Sequence, residues 1–178
     1  MSPSREREEI RMGKVSQRPG SQGVFNTPFE LGLRMVYLLT ALRPRGADLQ
    51  KLVLLDYAIV YSGDVDGPPS LHTPGPLRGG ELLGRRSLIE QGLYLMSTRG
   101  LVDAKVDETG IVYCTGPMAP ALVGSLCSPY FQMLAERCRW AANTFAEEDS
   151  LTLTAQFSDL GHRWGAELEI FSGQGSLL

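Results

Sequence analysis

The chain reads as a mostly α fold with a small β wing: a winged helix-turn-helix core with a C-terminal helical extension. Three observations predict it. Three helical apolar patterns follow one another from residue 27, two strand-like runs joined by a tight turn come next, and the helical period returns after Gly116-Pro117. The expected organisation is a flexible segment over 1–24, a winged-helix domain over 25–116 and a helical extension over 117–178. At 178 residues with 43% hydrophobic residues, the chain is long enough to bury a real core but too short for two large independent domains.

Residues 1–24 alternate Arg and Glu and then turn to Gly, Ser and Gln, a composition that buries too little apolar surface to offset ordering. The Arg5 to Arg11 portion could add the first turns of a frayed helix. The first firm element opens at Thr27-Pro28-Phe29-Glu30: Thr27 fits the N-cap, Pro28 the first helical position, and Glu30 closes a capping box. Leu31, Met35, Leu38, Leu39 and Leu42 then trace an apolar face that ends at Arg43-Pro44, with Arg34 expected on the other face. A second helix fits Asp48 to Ser62, with Asp48 as N-cap and Gly63 as terminator.

Residues 63–80 are rich in Gly and Pro and read as a long loop, longer than ordinary connections and so a candidate interface feature. The third helix is expected from Glu81 to Thr98, with Leu82, Ile89, Leu93 and Met96 inward and Arg99-Gly100 at its end. Leu101–Val106 and Gly110–Thr115 read as strands, joined through Asp107-Glu108-Thr109-Gly110. A short helical piece follows near Pro120–Leu126. Ser128-Pro129 then opens a longer helix to about Phe145, with Phe131, Leu134, Cys138 and Ala141 or Ala142 inward. After the acidic break at Glu147 to Asp149, at least one more amphipathic helix is expected within Thr152–Ile170.

Composition narrows the chemistry. Cys114, Cys127 and Cys138 show no metal-ligand spacing and read as reduced, buried structural thiols. No apolar run reaches a membrane span without a charge, and no signal peptide precedes the first helix, so a cytoplasmic location is expected. His72 and His162 stand in no ligand cluster, there is no nucleophile elbow, and Gly75, Gly79 and Gly80 lack the Lys-Ser or Lys-Thr of a phosphate loop. No enzyme activity, metal or cofactor is expected.

Two residue sets remain as binding candidates. Arg78, Arg85, Arg86 and Arg99 surround the third helix, where a DNA reader would contact phosphates. Glu81, Glu90, Asp103, Asp107 and Glu108 dilute that charge against one Lys105, and the whole chain carries −3. Asp56, at the edge of the second helix's apolar face, needs a partner such as an arginine or a backbone donor, and Tyr57 and Tyr61 lie one turn apart as a candidate aromatic patch.

Asn26 to Arg34 (NTPFELGLR), Asp48 to Tyr57 (DLQKLVLLDY) and Gly80 to Arg86 (GELLGRR) resemble the middle component of three-component ABC-ATPase (ABC-3C, Lamassu-like) conflict systems, as do Ser70-Leu-His72, Arg99-Gly-Leu101 and Arg163-Trp164. The resemblance covers most of the chain beyond residue 24. It implies a non-catalytic adaptor encoded with an SMC/Rad50-like ABC ATPase and an effector, often a nuclease, in bacterial antiphage defence, with DNA contacted mainly by the assembled complex. The matching positions become interface candidates: Asn26, Glu30, Arg34, Asp56, Ser70, His72, Glu81, Arg86, Arg163 and Trp164, with Tyr57 added from its own helix face. The alternative is a winged-helix DNA-binding transcriptional regulator, which requires a continuous positive surface on the third helix. The adaptor instead requires apolar surface bordered by Arg34, Arg86 or the proline-rich loop.

Overall fold

Thr27 starts the fold as its residue type demands. Its hydroxyl accepts from the Glu30 N–H at 3.2 Å and the Glu30 carboxylate accepts from the Thr27 N–H at 3.1 Å, closing the capping box at the head of α1 (Pro28–Leu42). A computed structural model describes residues 26–73, 78–108 and 110–162, with the side chains of 78–83 and 160–162 left out. The expectations for the segment before Asn26, for Arg163 and Trp164 and for the end of the last helix lie outside the described residues.

Six α-helices and one antiparallel hairpin make up the described elements. Asp48 caps α2 (Leu49–Val60) by accepting from the Lys51 N–H at 2.7 Å. The helix expected to run to Ser62 ends earlier, and Ser62–Val65 form a 3-10 turn inside what reads as loop, with Asp66 left-handed at φ 56°. α3 (Arg78–Ser97) begins before the expected Glu81. Gly79 and Gly80 fall in its first turn, where the N–H groups have no intrahelical partner in any helix, so only the glycine propensity cost of about 1 kcal/mol each opposes them.

β1 (Val102–Asp107) and β2 (Gly110–Thr115) pair from Val102 opposite Thr115 to Asp107 opposite Gly110, as the tight turn predicts. A further rung was not legible in the sequence. Ala47, between α1 and α2, exchanges both backbone hydrogen bonds with Tyr113 at 2.9 Å, adding a single-residue third strand on the other edge of β2. Gly46 beside it has no room for a side chain, since a Cβ there would lie 2.6 Å from the Tyr113 carbonyl oxygen. Helix, short strand, helix, helix and hairpin is the winged-helix order.

The extension consists of α4 (Ala119–Ser125), α5 (Pro129–Phe145) and α6 (Ser150–His162). α5 packs on α1 and α2 through Leu134, Cys138, Ala141 and Phe145, and α6 packs on α2 through Leu153 and Phe157. Lys51 joins these layers: its buried ammonium donates to the Ala146 carbonyl at 2.9 Å and to the Glu148 carbonyl, the free acceptors past the end of α5. Burial lowers its pKa against the opposing pull of Asp48. α1 and α3 meet backbone to backbone where Gly32 faces Gly92, so closely that a Cβ on Gly92 would sit 2.5 Å from the Pro28 carbonyl oxygen.

Candidate protein-docking site

The second half of α1 is apolar nearly all round, and Arg34 is drawn in with it. The expectation that Arg34 marks an outer face is corrected: it is 3% exposed. The reason is Asp56 of α2, fully buried and twenty-two residues away, which receives the guanidinium as a fork, Nε to Oδ1 at 2.7 Å and Nη2 to Oδ2 at 3.1 Å. Burial by itself lowers the Arg34 pKa; the Asp56 charge and hydrogen bonds outweigh it and raise the value, so the group stays charged. Asp56 thus finds the arginine partner that its position requires.

A second arginine reaches the same carboxylate. Arg85 of α3 donates from Nη1 to Asp56 Oδ2 and from Nη2 to the Tyr61 hydroxyl, both at 3.3 Å, with its guanidinium 5.3 Å from the Tyr61 ring centre. Three elements of the core therefore converge on one carboxylate. Tyr57 is buried beside this group, its hydroxyl donating to Asp64 at 2.9 Å and its ring 5.1 Å from Tyr61 and 6.2 Å from Phe157. It is part of the core and not of an exposed aromatic patch.

Above Arg34 the surface opens. Glu30, Leu33 and Arg34 of α1 and Tyr130, Phe131 and Leu134 of α5 enclose a largely apolar cavity of about 210 Å3. Phe131 stacks on Tyr37 at 5.6 Å and 10°, and Tyr130 meets Phe131 edge-on at 5.6 Å. The Tyr130 hydroxyl lies in the field of the Arg34 charge and 3.5 Å from His72 Nε2, the two rings being 6.2 Å apart. Burial raises the Tyr130 pKa, and burial followed by the Arg34 and Arg85 charges lowers that of His72, so the imidazole is neutral near pH 7.

The proline-rich loop folds onto α5. Leu71 and His72 donate their N–H groups to the Val60 carbonyl, Pro69 accepts from Arg137 Nε at 2.9 Å, and Gly67 leaves no room for a Cβ against the Trp140 indole. Ser70 Oγ accepts from the Gly63 N–H at 3.1 Å and so holds the 3-10 turn. Of the sequence candidates, Glu30, Arg34, Asp56 and His72 are brought together; Asn26, just before the Thr27 cap, has its Oδ1 buried and lacking a hydrogen-bond partner. Arg86 lies elsewhere, donating to Gln50 at 2.8 Å, and the Glu81 side chain is not among those described.

Tyr130, Phe131, Leu33 and Leu134 were missed as site residues. The available signal was the Tyr-Phe pair placed directly after the Ser128-Pro129 helix start, on the first turn of α5.

The nucleic-acid candidates separate. Arg85 is committed to the core at 4% exposure, Arg99 Nη1 donates to the Leu95 carbonyl at 2.8 Å and closes the end of α3, and the Arg78 side chain is not described. Among the described residues no group of three or more His, Cys, Asp or Glu side chains is placed to hold a metal, and no helix is long and apolar enough to cross a membrane. Not all thiols are buried as expected: Cys138 is, its pKa raised by burial, whereas Cys127 is exposed and Cys114 half-buried.

Three helices, a wing with a third rung and a helical layer closing over α1 and α2 define a winged helix-turn-helix module with a helical extension. Residues 24–167 match the family model described as ABC-three component (ABC-3C) system Middle Component 2, and the chain belongs to that family. Its role is that of a middle-component adaptor in an ABC-3C system. No curated protein and no solved structure matches it.

Proposed function

We propose that this chain is a non-catalytic adaptor that links an SMC/Rad50-like ABC ATPase to an effector, a nuclease, in bacterial antiphage defence. The observation that carries the proposal is the cavity between α1 and α5, lined by Arg34, whose guanidinium is fixed by Asp56. An apolar concavity with a few convergent polar groups suits an anchoring side chain of a partner protein. The energy of ATP hydrolysis and the cutting of DNA then belong to the partners, and DNA is contacted mainly by the assembled complex.

The regulator alternative is less well supported. A winged-helix reader places its third helix in the major groove with arginines on the phosphates, but Arg85 faces Asp56 and the wing carries Asp103, Asp107 and Glu108 against Lys105.

The test is co-purification of the chain with the other two components of its system, followed by stoichiometry and by ATPase and nuclease assays with and without DNA. The expected result is one complex in which removing this chain uncouples nuclease activity from ATP. Failure to bind the ATPase with ATP, ADP or no nucleotide would sink the proposal. Specific binding of the isolated chain to one short duplex at physiological salt would favour the regulator.

A further inference from the structure

A second cavity, of about 230 Å3, opens between α1, α4 and α5, lined by Tyr37, Thr40, Ala41, Val123, Ala135 and Arg139. Its three polar side chains are unequally engaged. Thr40 is committed: its hydroxyl donates to the Val36 carbonyl at 2.7 Å and lies 3.3 Å from that of Thr115. Tyr37 is 3% exposed, and its hydroxyl is buried with no hydrogen-bond partner. Burial raises its pKa, and the charged groups felt next are the Cys127 and Cys138 thiols, which are weak acceptors. A hydroxyl left in this condition weakens the free chain and stands ready for an acceptor.

Arg139 is exposed, and its guanidinium has no hydrogen bond or ion pair among the described residues. Arg45 and Arg137, by contrast, face Glu147 and Glu136. The sequence explains the difference. Met35 to Leu42 of α1 and Gly110 to Ala135, which include all of α4, contain no charged residue, so neither facing element can offer a carboxylate. Glu136, one turn before Arg139 on α5, lies 3.8 Å from Arg137. Arg43, just past the end of α1, is exposed and adds a charge of the same sign.

Both uncommitted groups are donors: a guanidinium accepts nothing, and a buried phenol keeps its proton at neutral pH. Their complement is an anionic acceptor. The walls from Ala41, Val123 and Ala135 suit a short methylene stem carrying it. A nucleic-acid backbone is held by many cations in a row, and the uncharged run from Gly110 to Ala135 provides none.

We infer that the α1–α4–α5 cavity is a socket for an acidic side chain, glutamate or aspartate, of one of the other two components, with Arg139 pairing the carboxylate and the Tyr37 hydroxyl donating to it. This rests on the adaptor reading above, and it uses different residues from the cavity lined by Arg34.

The experiment measures binding of the full chain to each of the two other components, comparing wild type with R139Q and Y37F. Arg139 is exposed, so R139Q keeps the wild-type circular dichroism, and Y37F keeps the ring that stacks on Phe131. Affinity for one component falls about tenfold in R139Q, with a weaker dependence on salt, and about threefold or more in Y37F. The urea midpoint of free Y37F stays at or above that of wild type, because the hydroxyl removed had no partner there. A photo-crosslinker at Val123 captures an acidic segment of that component. Binding within twofold of wild type in either variant overturns the socket and leaves the adaptor reading standing. A clear loss of stability in free Y37F overturns it too, as does capture at Val123 of DNA, a second copy or the chain's own Glu167 and Glu169. Absence of any wild-type binding to either component removes the adaptor reading and the socket together.

Discussion

Replacing Asp56 by Asn tests the core of the candidate site. The substitution keeps shape and removes one negative charge from a point where Arg34 and Arg85 are both held, at 2.7 to 3.3 Å, beneath a helix layer that excludes water. Neither guanidinium can discard its proton, so both remain charged and face an amide that accepts through one atom only. Breaking a buried ion pair from one side costs about 3–5 kcal/mol, because the partner's desolvation is no longer compensated. Against a total stability of about 5–15 kcal/mol this is a large fraction. For a domain of this size it lowers Tm by roughly 6–20 °C at about 2–4 °C per kcal/mol. Urea denaturation followed by circular dichroism reads the loss directly.

A companion variant separates charge from shape. Replacing Arg34 and Arg85 by Met together with Asp56 by Leu removes all three charges and restores stability to within about 1–2 kcal/mol of wild type, since apolar replacement of a buried charged triad is often neutral or better. It also removes the polar floor of the cavity, so partner binding stays weak while the fold recovers. A D56N protein within about 1 kcal/mol of wild type would refute the reasoning.

Two further outcomes are expected. G92A is destabilised by at least about 1–3 kcal/mol, because its Cβ would lie 2.5 Å from the Pro28 carbonyl oxygen and 2.6 Å from Gly32 N. G84A in the same helix meets nothing within 4 Å and gains about 0.5–1 kcal/mol from helix propensity; equal responses in urea melts would disprove the close α1–α3 contact. His72 has its folded pKa below the ordinary 6.5, first because it is desolvated by burial and then because Arg34 and Arg85 oppose its protonation, against Asp56 and Glu30 which favour it. Below pH 6.5 the unfolded chain therefore binds more protons than the folded one, so stability falls as pH drops through that value and the loss levels off once the folded imidazole is protonated too. Comparing wild type with H72Q from about pH 7.5 to about pH 5 isolates this slope; identical slopes would show that His72 does not contribute.

What the sequence made legible is what short-range chemistry determines. Thr27 with Glu30 and Asp48 before Leu49 announce helix starts because caps act within one turn; at Ser128-Pro129 the start is marked by the proline in the first turn, since the Ser128 side chain makes no cap hydrogen bond, and the pairing of β1 with β2 follows from their tight turn. The inward turn of Arg34 was not legible. A helix pattern assigns an arginine to water, and only Asp56, brought close by the packing of α2 on α1, reverses that choice. The need of Asp56 for a partner could be read, but not which arginines would meet it. Tyr130 escaped notice for the same reason: it joins Arg34 and His72 only after the extension folds back over α1. Ala47 pairs through one residue, too short a stretch for alternation to reveal.

The Ala47 rung also limits how the wing can be gripped. With β1 on one side of β2 and Ala47 on the other, the middle strand is engaged on both sides at Tyr113, and the outer edge of β1 is the long one left for another chain to extend. That edge belongs to a strand bearing Asp103, Lys105 and Asp107, charges that discourage strand-to-strand addition and the runaway stacking it invites. The hairpin is thereby protected from polymerising edge to edge with further copies of the chain. A contact made at the wing would then run through side chains, which can be selective for one partner where a bare backbone ladder cannot.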